Sequence, residues 1–158
     1  MKTMSKRSVV LMAMAMLTLF TLFAFVQSNQ HTASAKTRTR SRFSRIYRVA
    51  RRKLGRPYVY GAAGPNRFDC SGFVKYVYRH GAHKRLARTA QMQYRHGRKI
   101  RARHARRGDL VFFGGSKYSI YHVGIIIGKN RMIDAQNRGV VTEAIHAPWW
   151  HVVGYARV

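Results

Sequence analysis

Phe68-Asp69-Cys70-Ser71-Gly72-Phe73-Val74 holds the only cysteine of the 158-residue chain. A lone cysteine forms no internal disulfide, and a free thiol outside the cell is an oxidation liability, which points to a chemical use. Apolar residues at Phe73, Val74, Val77 and Tyr78 give the following segment a helical face, so a helix is expected to start near Asp69 or Cys70 and to stop at Gly81. Cys70 would then sit in the first helical turn, where unpaired backbone N–H groups and the helix dipole favour a thiolate.

Fifty-two residues later, His122 heads the apolar run Val123-Gly124-Ile125-Ile126-Ile127-Gly128. A strand packed against the Cys70 helix would hold this imidazole as the base for the thiol. A third group should orient the ring through its other nitrogen. Asp134, an acid inside Met132-Ile133-Asp134-Ala135, is the candidate, because its strand would neighbour that of His122. Each residue also has a plainer reading: Cys70 as a small core hydrophobe, His122 as a satisfied core histidine, Asp134 as a turn or surface acid. Spacing alone leaves these open. His80, His83, His96, His104, His146 and His151 lie in basic or loop segments and read as surface residues.

Around this centre the pattern is helices first and strands afterwards. Phe43, Ile46, Tyr47, Ala50 and Leu54 recur at helical spacing up to Gly55, with Arg45, Arg48, Arg51, Arg52 and Lys53 on the outer face. Pro57 opens an extended stretch, Tyr58-Val59-Tyr60, before the loop of residues 61–66. Thr89 can cap a third helix through Tyr94, closed by Gly97. Residues 109–113, 121–127, 131–135, 140–143 and 152–158 read as five strands, with Gly128-Lys129-Asn130 joining the second and third as a hairpin. The expected fold is α+β, with N-terminal helices packed on a mainly antiparallel sheet of about five strands.

The N-terminal segment reads as an export signal. Lys2, Lys6 and Arg7 precede the 18 uncharged residues Val9 to Val26, and Ala33-Ser34-Ala35 offers a small-residue cleavage site. The alternative is an uncleaved membrane anchor, since 18 residues is at the lower limit for a span. No cysteine follows the apolar run, which argues against a lipid anchor there. The expected organisation is a signal over 1–35, a basic disordered arm over 36–42 and one domain over 43–158. Three of the 31 Lys and Arg lie in the signal, leaving 28 against four acids, a net +24 with histidine neutral. Ten of these cations fall in Lys36 to Arg56 and six in Arg98 to Arg107. Such a chain adheres to polyanions. For an exported chain those are wall polymers such as teichoic acids, anionic lipids and peptidoglycan rather than nucleic acid, and a membrane only if the signal is kept. A solvated surface suited to an acidic habitat is the plainer alternative.

Five ordered blocks carry a resemblance. Pro57-Tyr58-Val59-Tyr60-Gly61, Asp69-Cys70-Ser71-Gly72-Phe73-Val74, Arg88-Thr89, Gly108-Asp109-Leu110-Val111-Phe112-Phe113 and His122-Val123-Gly124-Ile125-Ile126-Ile127-Gly128 resemble the NlpC family of bacterial cell-wall cysteine peptidases. The match runs from about Ile46 to Val158. It implies a papain-like fold and hydrolysis of peptidoglycan stem peptides, typically between D-γ-glutamate and the next diamino acid. By this resemblance Cys70 is the nucleophile, His122 the base and Asp134 the third, polar residue, a position where many relatives carry histidine. Tyr58 matches a tyrosine whose hydroxyl points into the site. Asp69, Ser71 and Thr89 match stem-peptide contacts in relatives that recognise a free amino terminus, although Asp69 equally suits a helix cap and Ser71 a core hydroxyl. No cofactor is implied, and one cysteine, four scattered acids and no paired histidines argue against a zinc site. Competing readings are a non-catalytic cationic wall-binding or antimicrobial protein, and a papain-like amidase or acyltransferase.

Overall fold

Leu110-Val111-Phe112-Phe113 is buried at every position, so its strand has no solvent face. That pattern belongs to a sheet covered on both sides. A computed structural model of the chain describes Met14, Met16, Thr37 and residues 41–158. The signal read over 1–35 lies outside the described residues apart from two exposed helical methionines, and most of the 36–42 arm does too. Of the arm, Thr37, Ser41 and Arg42 are described, and these three are helical. Arg42 Nη2 donates to the Val158 carbonyl (2.5 Å), which fixes that end of the helix.

Arg42–Val158 forms one unit. Within it α1 covers residues 42–51, α2 Cys70–Ala82 and α3 Ala90–His96. The strands are β1 Arg98–Ile100, β2 Leu110–Ser116, β3 Ser119–Gly128, β4 Arg131–Gln136, β5 Gly139–Ala144 and β6 Val152–Arg157. They form one antiparallel sheet in the order β1-β6-β2-β3-β4-β5. Helices on this sheet make an α+β fold, with six strands where the sequence pattern gives about five. The additional strand, Arg98-Lys99-Ile100, has two cations in three residues and no apolar alternation. Only its backbone pairing with β6 makes it a strand.

Phe73, Val74, Val77 and Tyr78 of α2 pack with Leu110, Phe112, Val123, Ile125, Ile133 and Ala135 in the main core. A second cluster covers the opposite face, where Val111, Phe113, Ile126, Met132 and Ile145 meet Trp150, Val152 and Tyr155. The helix ends follow their caps: Asp69 Oδ1 accepts from Gly72 N at the start of α2, and Thr89 Oγ1 accepts from Met92 N at the start of α3. Gly97 closes α3. The stretch Tyr58-Val59-Tyr60 is not a full strand, because only Tyr58 pairs, in an isolated bridge with Phe68.

Gly81 does not stop α2. The helix continues to Ala82, and His83 takes the left-handed cap at φ 53°. Gly81 is instead the contact with α1: a Cβ there would lie 2.7 Å from Ile46 Cα and 3.0 Å from Ile46 N. Intrinsic propensity favours alanine over glycine in a helix by about 1 kcal/mol, but these neighbours are backbone atoms that cannot rotate away. Gly81→Ala is therefore expected to lower stability by about 1–3 kcal/mol, as overpacked sites do. Gly115→Ala, where a Cβ meets nothing within 4 Å, should stay within about 0.5 kcal/mol. Urea unfolding of both variants checks the pair, and equal effects would contradict it.

Candidate active site

Asp69 fixes the start of α2. Its Oδ1 accepts from Gly72 N (2.7 Å), Ser71 Oγ (3.2 Å) and Arg88 Nη1 (3.0 Å). Its Oδ2 accepts from Gly61 N (3.0 Å) and from Arg88 Nη2. Burial alone would raise the Asp69 pKa, but the bonds from Arg88, Gly72 and Ser71 outweigh it and hold it below the usual value. Gly72 lets the preceding loop close on the helix, since a Cβ would meet the Ala62 carbonyl at 2.2 Å. Ser71 Oγ also accepts from Arg88 Nη1 (3.1 Å). Asp69 and Ser71 thus form a buried scaffold knotted to Arg88, whose own exposure leaves it facing outward.

Cys70 follows this cap, 8 % exposed, with Sγ 3.8 Å from the Tyr121 carbonyl. The reason lies in the β2–β3 register. Phe113 pairs with His122 and Gly114 with Ile120, so Tyr121 is the extra residue of a bulge. Gly114 permits it, because a Cβ there would meet the Ser119 carbonyl at 2.1 Å. The bulge turns the Tyr121 carbonyl towards the thiol and sets the adjacent imidazole beside it.

His122 is 6 % exposed and its Nε2 lies 2.8 Å from Asp134 Oδ2. With Nε2 engaged, Nδ1 is the nitrogen left for the thiol. The ring stacks on Trp150 (centroids 4.6 Å, planes 14° apart) and tilts against Phe113 (5.7 Å). Burial pulls the His122 pKa down, but hydrogen bonds with Asp134 and Cys70 override this and push it up to about 9. Asp134 is fully buried on β4, and only its Oδ2 has a partner. The arrangement can hold an imidazolium between a thiol and a carboxylate, which is the charge pattern of an activated sulfur nucleophile.

Of the remaining sequence candidates, Tyr58 is close enough to Cys70 and Asp69 to feel both. Burial raises its phenol pKa first, and those two groups raise it further. Thr89 is exposed and its hydroxyl serves the α3 cap. The six other histidines among the described residues are exposed. Sequence reasoning gave no role to Arg88, Trp150 or Glu143. Arg88 was visible only within a matching block. Glu143, the fourth acid, closes an apolar strand beside Asp134, and Trp150 is hidden in the 145–151 turn. No group of three metal-ligating side chains occurs among the described residues.

The NlpC/P60 family pattern matches residues 55–155, which include every residue of this site. Over 118 residues the chain is 45 % identical to a probable endopeptidase p60 of Listeria grayi, covering 73 % of this chain and 23 % of that protein. It is 36 % identical over 121 residues to a bifunctional muramidase/DL-endopeptidase, CwlT, of Bacillus subtilis, covering 73 % and 36 %. Among solved structures, an NLP/P60-family protein of Staphylococcus aureus superposes with a TM-score of 0.68 at 33 % identity, over 74 % of this chain and 41 % of that one. The chain spans less than half the length of each of these relatives. A family pattern covering 101 consecutive residues (55–155), over a fold shared with solved members, means that this chain belongs to the NlpC/P60 family.

Proposed function

We propose that the chain is a secreted cysteine peptidase that hydrolyses peptidoglycan stem peptides at the D-γ-glutamyl–diamino acid bond. The observation that carries this reading is the buried line from Cys70 through His122 to Asp134, with Nε2–Oδ2 at 2.8 Å. The DL-endopeptidase name of the Bacillus relative supports the bond. The Cys70 thiolate attacks the carbonyl carbon, and the Cys70 backbone N–H donates to the oxyanion. The tetrahedral intermediate collapses with cleavage of the C–N bond, His122 giving its proton to the leaving amine. Water, deprotonated by His122, then hydrolyses the thioester. Asp134 holds the ring and stabilises the imidazolium. Tyr58 borders the reacting sulfur. Asp69 and Ser71 act through Arg88, which is the charged group of this cluster open to a substrate, and Thr89 shapes the same rim.

Residues 1–35 act as the export signal in this reading, and the basic arm contributes adhesion to the wall. The distribution of charge supports adhesion to anionic wall polymers. All four acids have cationic partners: Asp69 with Arg88, Asp109 with Arg157, Asp134 with His122 and Glu143 with Arg138. A cavity of about 680 Å³ is rimmed by Arg103, Arg106, Arg107 and Lys129 over Ile126 and Ile145, with no acid in its lining. The same charge favours a second reading, a cationic wall-binding protein without turnover.

Digestion of purified peptidoglycan, with products identified by mass, separates the two. Cys70→Ala should abolish product formation and leave adsorption to walls unchanged. Fragments keeping L-Ala-D-Glu on muramic acid support the endopeptidase, whereas lactoyl groups stripped of peptide would reassign the bond. Equal digestion by parent and variant would remove Cys70 from the mechanism.

The pH dependence follows from His122. The protonated ring is the acid for the leaving amine, so kcat/KM should fall on the alkaline side with a midpoint at about 9. Asp134→Asn removes the carboxylate that raises this value, and the alkaline limb should move towards the ordinary histidine range. A limb that stays in place would show that Asp134 is not the controlling group.

Deleting Lys36 to Arg42 removes four cations and should weaken wall adsorption most at low salt, where screening is least. Adsorption equal to the parent's at every ionic strength would exclude the arm.

A further inference from the structure

Two of the chain's only four acids meet behind His122. The β4–β5 register pairs Met132 with Glu143 and Asp134 with Val141. Asp134 and Glu143 are therefore diagonal neighbours on one face of the sheet, within side-chain reach. Their side chains are buried, 0 % and 7 % exposed. Asp134 Oδ2 is taken by His122, and Glu143 Oε2 by Arg138 Nη2 (3.2 Å). The other oxygens, Asp134 Oδ1 and Glu143 Oε1, are both buried without a donor. An ionised carboxylate only accepts, so two such oxygens side by side in a dry site repel, while a carboxylic acid supplies the missing donor.

We propose that Glu143 is a positioning residue of the site, protonated at Oε1 and donating to Asp134 Oδ1, so that the two carboxyls share one proton and present one negative charge to His122. Three charged or titratable groups outside the pair face it, and each comes from a different element. His122 comes from β3, the Cys70 thiol beyond it from α2, and Arg138 from the β4–β5 turn. Arg138 is 68 % exposed and reaches only Oε2. Trp150 closes the remaining side with its ring against the imidazole; its Nε1 makes no hydrogen bond of normal geometry, but it lies near enough to Glu143 to favour the ionised carboxylate and so opposes the proton there.

Burial first, and then Asp134, raise the Glu143 pKa to about 7, against Trp150 and Arg138, which pull it down. Below that pH one proton joins the two carboxyls. Above it the proton is lost to solvent, a second negative charge appears, and His122 holds its own proton more tightly. Glu143 thus sets how readily the imidazolium gives up a proton without touching substrate or sulfur. Its amide analogue, Glu143→Gln, keeps a donor for Oδ1 but never adds the second charge. Glu143→Leu removes the donor and leaves Oδ1 orphaned.

The kinetic consequence rests on the peptidase reading, so the test begins with a readout that needs no substrate. Cys70 is the only thiol, and its alkylation by iodoacetamide across pH 4–10 reports the thiol–imidazole pair alone. The parent should show the His122 step near 9 and a smaller inflection near 7. In Glu143→Gln the inflection disappears and the His122 step moves to lower pH. In Glu143→Leu reactivity at pH 6 drops about tenfold, the lower end for loss of an outer-shell partner. A Glu143→Gln profile that superposes on the parent's overturns the proposal. Infrared spectra of the unmutated chain test it without relying on a variant. With four acids in total, a carboxylic-acid carbonyl band persisting at pH 6 and lost through about 7 is expected, and its absence at pH 6 overturns the shared proton. Expected profiles from a parent that fails to digest peptidoglycan would count against the peptidase and leave Glu143 in place.

Discussion

The carboxylate of Asp69 is the constraint on which the sulfur depends. It joins three segments: the loop at Gly61, the first turn of α2 at Gly72, and Arg88 before α3. Such charge-assisted bonds are about twice as strong as neutral ones. Losing this carboxylate would leave the guanidinium and two backbone donors without their acceptor at once. The cap is placed immediately before Cys70, so any movement of the loop is transmitted to the thiol. Gly72 extends the same constraint, because the Ala62 carbonyl occupies the space of a side chain.

The opposite wall of the site is built by the sheet. A bulge at Tyr121 and a tight Gly114 set the imidazole next to the thiol. β4 then brings Asp134 to its far nitrogen. Rigid elements therefore carry both halves, which limits the misplacement that costs rate at a reacting centre. Phe113 and Trp150 pack against the ring and keep water from competing for its hydrogen bonds. The second core cluster, on the sheet face away from α2, thus has a function beyond stability: it supplies the dry surroundings of the histidine.

Much of this was legible in the chain. Helix caps at Asp69 and Thr89, and apolar runs for β2 to β6, have local signatures that survive folding. β1 was not legible, because Arg98-Lys99-Ile100 becomes a strand only through its partner β6. Gly81 was misread as a stop for a related reason. Its lack of a side chain serves a contact with Ile46, 35 positions earlier, rather than a turn. The placement of Cys70, His122 and Asp134 could be anticipated from one hairpin and one helix start, although spacing left their roles open and only the ordered family blocks favoured the catalytic reading. Arg88, Glu143 and Trp150 could not, since each enters the site through tertiary contact without a local pattern.

The protonation states of the site also bear on folding. The His122 pKa in the folded chain, about 9, exceeds the ordinary value of 6.5. Its contribution to stability is fully present below 6.5 and is lost as pH rises through about 9. Glu143, raised from 4.5 to about 7, prefers its protonated form when folded. Its contribution is complete below 4.5 and is lost as pH rises through 7. Both groups therefore favour the folded state more on the acid side. Between 7 and 9 the site keeps its imidazolium while facing two ionised carboxylates, and the repulsion between those carboxylates offsets part of what His122 contributes. The charge pattern needed for an activated thiol is thus held at some cost in folding free energy, and that cost falls on Glu143, the group that neither sulfur nor substrate touches.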